Sequence, residues 1–294
     1  MLLLAAALVI LGMILPFGFL LTYPARLFNT FIHETGHAVM AVLTGGEVLD
    51  MRVNLDTSGR VTSRGSGRIL TSSAGYLSTT LTGALLLLAG RRQRWARPTL
   101  IALGSATLLS TVAFASNLTI LAAAAGAGLG LGCLGFAVER GRKKRWVAAA
   151  ILGVFGGLCL LAALGALFLS GAMVTWVVGL GAGALLLTAA IAATPSIRQF
   201  IVVFLGVQVS LDGLRSVRML ISRTTQGVGH SDAVNMANYT GVPALFWALL
   251  WATIGLLVVG AALIYFWRDP GEPGTKSSAR LATTRGSGRM GQGG

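Results

Sequence analysis

The chain contains 294 residues, of which 54% are hydrophobic and only 11% are charged, and its mean hydropathy is +0.77. These values exclude an ordinary soluble globular domain and indicate a polytopic membrane protein. The net charge of +14 is also found in nucleic-acid-binding proteins, but here the basic residues are confined to short loops and the C-terminal tail. We therefore expect the lipid bilayer as a partner, and no nucleic acid.

Apolar stretches of bilayer length predict an all-α fold with about nine transmembrane helices. The first stretch has no basic residue ahead of it and is about as long as a bilayer span, so we interpret it as a retained helix rather than a cleaved signal. Residues 1–267 are expected to form one membrane-embedded domain. The predicted spans are 1–22, 25–44, 67–90, 98–115, 118–138, 147–169, 172–193, 197–221 and 243–267.

Residues 46–66, directly after the second predicted span, break the helical pattern. Apolar and polar residues alternate in EVLDMRVNLDTSGRVTSRGSG on both sides of a turn at Ser58 and Gly59, which predicts a short β-hairpin. Two interpretations stay open. The hairpin is either a simple surface element or an exposed strand edge that pairs with an extended substrate.

The last segment, residues 268–294, is polar, basic and rich in Gly and Ser, which predicts a disordered tail. Within the apolar spans, small residues recur four positions apart, as at Gly179 and Gly183. Such pairs indicate close helix packing, either inside the bundle or at a dimer face, so the oligomeric state is left open.

The second predicted span carries the most informative motif of the chain, FIHETGHAVM, with His33, Glu34 and His37 in H-E-x-x-H spacing. Two His residues at i and i+4 project from one face of a helix and can offer two imidazole nitrogens to one Zn²⁺. The Glu between them is then placed to act on water at the metal. The alternative is a pair of neutral imidazoles that bond to neighbouring helices, which leaves the Glu unexplained.

A catalytic zinc site generally takes three protein ligands, and Asp212 is the best candidate for the third. Of nine acidic residues, only Glu34 and Asp212 lie well inside apolar segments, where ionisable groups are costly and usually functional. Counted from the ends of their predicted spans, His33, His37 and Asp212 all lie roughly 10–17 Å from the same membrane face. The alternative for Asp212 is an i, i+3 ion pair with Arg215.

His230 and Asp232 lie in the predicted loop 222–242 on that same face. Either residue could replace Asp212 as a metal ligand, form a hydrogen bond to one of the metal-binding residues, or begin a short helix. For Asp232 we expect the role of a structural helix cap.

The quoted motifs resemble those of the site-2-protease clan of intramembrane zinc metalloproteases, and most of all its compact bacterial branch. The resemblance rests on HETGH in the second span, the hairpin after it, LDG in a late span, and SDA followed by the Trp-rich FWALLW. It covers the first three and last two spans, whereas residues 98–193 are generic membrane sequence. It implies one Zn²⁺ per chain held by His33, His37 and Asp212, with Glu34 as catalytic base.

The resemblance further implies that the hairpin is the substrate-binding β element and that the substrates are helices of membrane proteins. The better-known members carry Asn and Pro ahead of their Asp-Gly, but the segment IVVFLGVQVSLDG of this chain has neither. Gln208, one turn before Asp212, is the only nearby substitute for that Asn. Ser72 and Tyr76 in the third span are candidates for a polar channel to the site, or for hydrogen bonds between helices.

Two functions of other classes stay open as alternatives: a catalytically inactive, protease-like membrane scaffold, and an ion-coupled transporter. The intact H-E-x-x-H argues against the scaffold, and the lack of an evident internal repeat argues against the transporter.

We expect the protein in a bacterial cytoplasmic membrane. In a nine-span arrangement, 16 of the 23 Lys and Arg residues fall on one face and 7 on the other, which predicts a cytoplasmic C-terminal tail. The resemblance implies the opposite orientation, because relatives open their site towards the cytosol.

Overall fold

A computed structural model describes residues 1–115, 117–169, 171–224 and 231–268 of the chain. Of these residues, it gives the backbone but not the side chains of 13, 19, 21, 117–120, 167–169 and 212–224. The described part is largely helical, as expected, and contains one two-stranded sheet. The helices are α1 Leu2–Ile14, α2 Gly18–Leu43, α3 Arg68–Gly90, α4 Gln93–Phe114, α5 Asn117–Arg142, α6 Trp146–Leu169, α7 Ala172–Ala192, α8 Pro195–Thr224, α9 Asp232–Thr240 and α10 Ala244–Arg268. The predicted tail beyond residue 268 lies outside the described residues.

Six helices in the described ranges are long and apolar enough to cross a membrane, so the structure does not confirm the predicted count of nine spans. The six are α3, α4, α5, α6, α7 and α10. Helix α2, which carries His33, Glu34 and His37 in its second half, is not among the six. In α8, the shorter segment Pro195–Leu211 is apolar.

The predicted first span, residues 1–22, is wrong at its C-terminal end. Helix α1 ends at Ile14 and has 13 residues, whereas an α-helix needs about 20 residues to cross a bilayer. The chain turns at Phe17, whose φ is 64°, and α2 begins directly at Gly18. Hydropathy cannot detect such a turn, because Leu15, Pro16 and Phe17 are themselves apolar.

The predicted hairpin is confirmed. Strand β1 (Glu47–Val53) pairs antiparallel with β2 (Gly59–Arg64), and Met51 lies opposite Val61. Met51 and Val53 are fully buried with Phe31 of α2 in one hydrophobic cluster. The alternation of apolar and polar residues therefore places one face of the hairpin against the bundle.

Three hydrogen bonds hold the hairpin in place. From α2, the Tyr23 hydroxyl donates to the carbonyl oxygen of Leu55 at 2.5 Å, and the Thr30 hydroxyl donates to that of Thr57 at 2.8 Å. On the other side, the backbone N–H of Val53 donates to Thr175 Oγ1 of α7 at 2.8 Å. The hairpin is thus fixed against the helix that carries the H-E-x-x-H motif.

Helix α3 is central to the bundle, since it packs against α2, α8 and α10. Helices α5 and α6 pack mainly on each other, and a Cβ at Gly130 would lie only 2.8 Å from the carbonyl oxygen of Gly156. A Cβ at Gly183 of α7 would likewise lie 3.2 Å from the carbonyl oxygen of Gly104 in α4. These small residues therefore serve helix packing inside the chain.

Candidate metal centre and active site

The two His residues of the motif lie one helical turn apart on α2 and face the same point. Their Nε2 atoms are 3.1 Å apart, and their ring centroids are separated by 4.7 Å with the rings nearly perpendicular. His37 is buried, whereas the side chain of His33 keeps 20% of its surface exposed. The motif spacing thus produces the convergence of imidazole nitrogens that the sequence predicts.

Asp232 joins this pair from the other end of the chain. Its Oδ2 lies 3.0 Å from Nε2 of His33 and 3.2 Å from Nε2 of His37. Asp232 is the first residue of α9, but the helix is capped by Ser231, whose side chain accepts a hydrogen bond from the backbone N–H of Val234. The expectation that Asp232 serves as the helix cap is therefore wrong, and its carboxylate is available to the His pair.

The geometry of these three residues fits a divalent metal ion. One donor atom from each of His33, His37 and Asp232 lies within 4.8 Å of the others. Tetrahedral zinc with bonds of about 2.0–2.1 Å requires its ligand atoms to be about 3.3 Å apart, close to the separations found here. Two imidazole nitrogens and a carboxylate at such distances concentrate electron pairs that a cation at their centre would stabilise.

The tautomer of His37 agrees with a role as metal ligand. Its Nδ1 lies 2.6 Å from the carbonyl oxygen of Thr71 in α3, and a carbonyl oxygen can only accept, so Nδ1 carries the proton. Nε2 of a neutral His37 then presents its lone pair to the centre. A second bond of this kind is the usual way in which a protein orients a metal-binding His.

The electrostatics of Asp232 favour its ionised form. Burial alone would raise the pKa of this carboxyl, but the imidazole rings of His37 and His33 beside it hold the pKa well below its usual range. An ionised carboxylate is the form that binds a metal.

Gly75 of α3 forms one wall of the centre. A Cβ at this position would come within 3 Å of Nε2 of both His33 and His37. Any side chain here would therefore occupy the space between the two imidazoles. The absence of a side chain lets the backbone of α3 approach the metal-binding face of α2 directly.

Glu34 lies beside this centre under the hairpin and is only 5% exposed. A Cβ at Gly59, the first residue of β2, would overlap the Glu34 side chain from Cγ to its carboxylate. The backbone of β2 therefore lies directly against the Glu34 carboxylate. This places a strand edge and a carboxylate next to the group of metal-binding candidates.

An aromatic row continues from the centre towards α10. The ring of Tyr76 contacts the ring of His33 edge-on, with centroids 4.9 Å apart, and stacks on Trp251 at 5.0 Å. Trp251 is buried in one cluster with Ala233 and Met236 of α9. This cluster holds α9, and with it Asp232, against α3 and α10.

Two of the predicted site residues cannot be placed in the centre. Asp212 lies in α8, but its side chain is outside what the structure describes, so its role as third ligand stays a prediction. His230 falls in residues 225–230, which also lie outside the described residues.

The other two predicted residues are described. Gln208 of α8 is completely buried, and its amide atoms have no hydrogen-bond partner within the described part of the chain. Ser72 of α3 is buried at 9% exposure, next in sequence to Thr71, whose carbonyl accepts from His37. Their predicted contacts with substrate or a water channel stay predictions.

Sequence reasoning missed the contributions of Gly59, Gly75 and the Thr71 carbonyl. None of the three carries a functional side chain, and 40 Gly residues in the chain hide the two that matter. Their roles arise from backbone approach between elements, which no local spacing reveals.

Comparison with known proteins gives one match. The model of the family described as Peptidase M50B-like matches residues 2–158 and 131–262, which together cover most of the chain. No curated protein and no solved structure matches the chain.

Proposed function

The chain belongs to the Peptidase M50B-like family, and on that premise we propose that it is a zinc-dependent intramembrane metallopeptidase. It would hydrolyse a peptide bond in a membrane-embedded segment of another protein. The observation that carries the proposal is the convergence of His33, His37 and Asp232 beside the buried Glu34. The six membrane-span candidates and the family make the chain an integral membrane protein, and we propose a bacterial cytoplasmic membrane as its location.

His33, His37 and Asp232 would hold the metal, because two imidazoles and one carboxylate form a ligand set that catalytic zinc sites use. When bound, Zn²⁺ supplies a Lewis acid that polarises the scissile carbonyl and makes water acidic enough to lose a proton near neutral pH. His37 is held in the required tautomer by the Thr71 carbonyl.

Glu34 is proposed as the general base. It would take a proton from the attacking water and pass that proton to the leaving amine when the C–N bond breaks. Its carboxylate is not one of the three converging donors, so it is free for proton transfer. Its enclosure by the hairpin at Gly59 limits bulk water around it and strengthens its interaction with the reacting groups.

The hairpin offers one side for an extended substrate. The outer edge of β1 is partly covered, because Val53 donates to Thr175 and Met51 bridges to Ala115. The strand β2 begins directly beside Glu34. We therefore propose that an unwound substrate segment pairs with β2 and thereby brings its backbone to the centre.

The test is to measure zinc content and hydrolysis on purified, detergent-solubilised protein with a set of quenched fluorogenic peptides rich in apolar residues. We expect about one zinc per chain and hydrolysis that a chelator abolishes. His33→Ala should lose the metal, whereas Glu34→Gln should keep it and lose hydrolysis, because Glu34 acts on water rather than on the ion. Glu139→Gln, at an exposed position of α5, serves as the matched control and should retain both.

Full zinc occupancy in His33→Ala would overturn the metal assignment. A wild-type protein that binds zinc at this site but cleaves none of the peptides would instead support the alternative of an inactive, protease-like scaffold. Zinc-dependent uptake of an ion into vesicles without hydrolysis would support the transporter.

A further inference from the structure

An apolar cavity of about 200 Å³ lies between α3, α8 and α10. Its lining from α3 consists of Tyr76 and Thr80, and Leu211 contributes from α8. The rest of the lining comes mostly from α10, where Trp251 marks one end and Leu263 the other. No role in the chemistry described above uses this space.

The cavity ends one aromatic ring away from the metal-binding candidates. Tyr76, which lines it, contacts the ring of His33 at a centroid distance of 4.9 Å. The same ring stacks on Trp251 of α10, which lines the cavity beside it. A group in the cavity is therefore separated from His33 by the thickness of Tyr76 alone.

The size and lining of the cavity suit one class of side chain, namely large apolar ones. An apolar cavity of about 150 Å³ takes up a benzene molecule, so about 200 Å³ suits a group of the size of a Phe, Leu or Met side chain. Most of the lining is apolar, and a charged group would remain without compensation there.

The distance to the centre also suits a peptide substrate. Successive residues of an extended chain are about 3.3–3.6 Å apart. A residue one or two positions from a peptide bond held at His33 and His37 can therefore direct its side chain past Tyr76 into the cavity. Leu256 in the lining is 56% exposed on the outer face of α10, so the cavity is open towards the side from which a membrane segment would arrive.

We propose that this cavity is the specificity subsite of the enzyme and binds a large apolar side chain of the substrate next to the scissile bond. The inference rests on the proposed peptidase function and adds the residue class that the substrate must carry. Tyr76 and Trp251 form the wall of this subsite nearest to the chemistry, and α10 sets its depth.

Gly255 allows a direct test. A Cβ at this position would lie 3.4 Å from Thr80 Oγ1, an ordinary contact distance, so Gly255→Leu fills the cavity without a backbone clash. Gly181 of α7 has no atom within 4 Å of such a Cβ and does not line the cavity, so Gly181→Leu is the matched control. Gly260→Leu, also at an open lining position, is a second variant in case the first fails to fold.

The measurement compares kcat/KM for paired fluorogenic peptides that carry Phe or Ala at each position flanking the cleaved bond. One flanking position should be the one whose side chain enters the cavity. For peptides varied at that position, we expect the wild type and Gly181→Leu to show a kcat/KM roughly 10- to 200-fold higher with Phe than with Ala, the range of discrimination by apolar pockets. Gly255→Leu should bring this preference close to unity and retain cleavage of the Ala peptide.

A binding measurement tests the subsite independently of peptide hydrolysis. Fluorescence anisotropy with labelled Phe and Ala peptides, in a Glu34→Gln background, should show the same loss of Phe preference on Gly255→Leu. If the wild type cleaves peptides but its preference is unchanged in both cavity variants, the subsite is refuted and the peptidase stands. If the wild type cleaves nothing, the proposed function fails. A third outcome is that lipid co-purifies with the wild type and Gly181→Leu but not with the cavity variants, while the peptide preference stays unchanged. This outcome would identify an acyl chain as the occupant of the cavity and refute the subsite.

Discussion

At the scale of single residues, α3 contacts both His residues of the motif, whereas Asp232 is placed by α9. His37 is fixed by the Thr71 carbonyl of α3, His33 by the edge-on ring of Tyr76, and Asp232 by its position at the start of α9. Contacts of this kind outside the ligands orient them, and their loss typically lowers metal affinity about 10- to 100-fold. The centre is therefore pre-organised by the packing of three helices.

The identity of the third ligand is decided by comparing Asp232→Ala with Asp212→Ala. We expect Asp232→Ala to lower zinc affinity by at least about 100-fold, because its Oδ2 lies 3.0 and 3.2 Å from the two imidazole nitrogens and two His residues alone hold a catalytic zinc poorly. Metal content after dialysis against a graded series of zinc buffers measures this effect.

Retention of zinc by Asp212→Ala would establish His33, His37 and Asp232 as the complete protein ligand set. The opposite pattern, zinc lost in Asp212→Ala and kept in Asp232→Ala, would establish Asp212 and remove Asp232. Loss in both variants would mean that both carboxylates contribute.

The residues of the centre differ in how far their local sequence reveals them. His33, Glu34 and His37 lie within one helical turn, so their spacing alone predicts that they share a face. Asp232 is 199 positions from His33, and its contact depends on how α9 packs against α3 and α10. A sequence pattern can identify Asp232 as a candidate ligand. Whether Asp232 or Asp212 is the third ligand depends on tertiary packing, which the sequence pattern does not reveal.

At the scale of elements, the hairpin encloses the proposed base. Two hydrogen bonds from α2 and one from α7 fix it, and Gly59 brings its backbone against Glu34. The position of Glu34 therefore depends on an element outside its own helix.

Gly59→Ala should impair the proposed base Glu34 without affecting metal binding. Its Cβ would overlap the Glu34 side chain, whose flexible end can move aside while the three metal-binding candidates stay in place. We expect kcat to fall about 100-fold, the effect of an error of about 1 Å in a catalytic group, with zinc content and melting temperature close to wild type. Gly132→Ala, at a position with open space, is the control. Full activity in Gly59→Ala would show that the hairpin does not set the position of Glu34.

Most elements were predictable because their apolar length or alternation is strong, as in α3, α10 and the two strands. The ends of helices were less so. Helix α4 begins at Gln93 rather than at residue 98, since the charged turn QRWAR lowers local hydropathy without preventing a helix. The break at Phe17 is likewise invisible to hydropathy, because it depends on backbone conformation in an apolar stretch.

At the scale of the whole molecule, the orientation in the membrane stays a prediction. The charge distribution of 16 against 7 basic residues was counted on nine spans, and no Lys or Arg precedes Arg26. This division is therefore the same whether or not the 13-residue α1 crosses the membrane. The majority of the basic residues still flank the helices on the side assigned to the C-terminus, which favours a cytoplasmic tail.

Reporter fusions after Gly294 test this orientation. We expect fluorescence from a fused cytoplasmic reporter and no activity from a fused alkaline phosphatase, because the phosphatase folds only outside the cytoplasm, where its disulfides form. A second pair of fusions at Arg92, between α3 and α4, should agree with the first pair in a nine-span arrangement. Phosphatase activity after Gly294 would reverse the orientation and place the hairpin on the cytoplasmic side.

The separation of 199 positions between His33 and Asp232 has a consequence for biosynthesis. A ribosome delivers the H-E-x-x-H segment to the membrane well before the SDA segment. With His33, His37 and Asp232 as the proposed ligands, a nascent chain whose α9 has not yet docked against α3 and α10 would hold two of the three donors and should bind the metal weakly. The proposed peptidase should therefore be inactive towards its neighbours in the insertion machinery until α9 has docked, so the distant origin of Asp232 would act as a safeguard during synthesis.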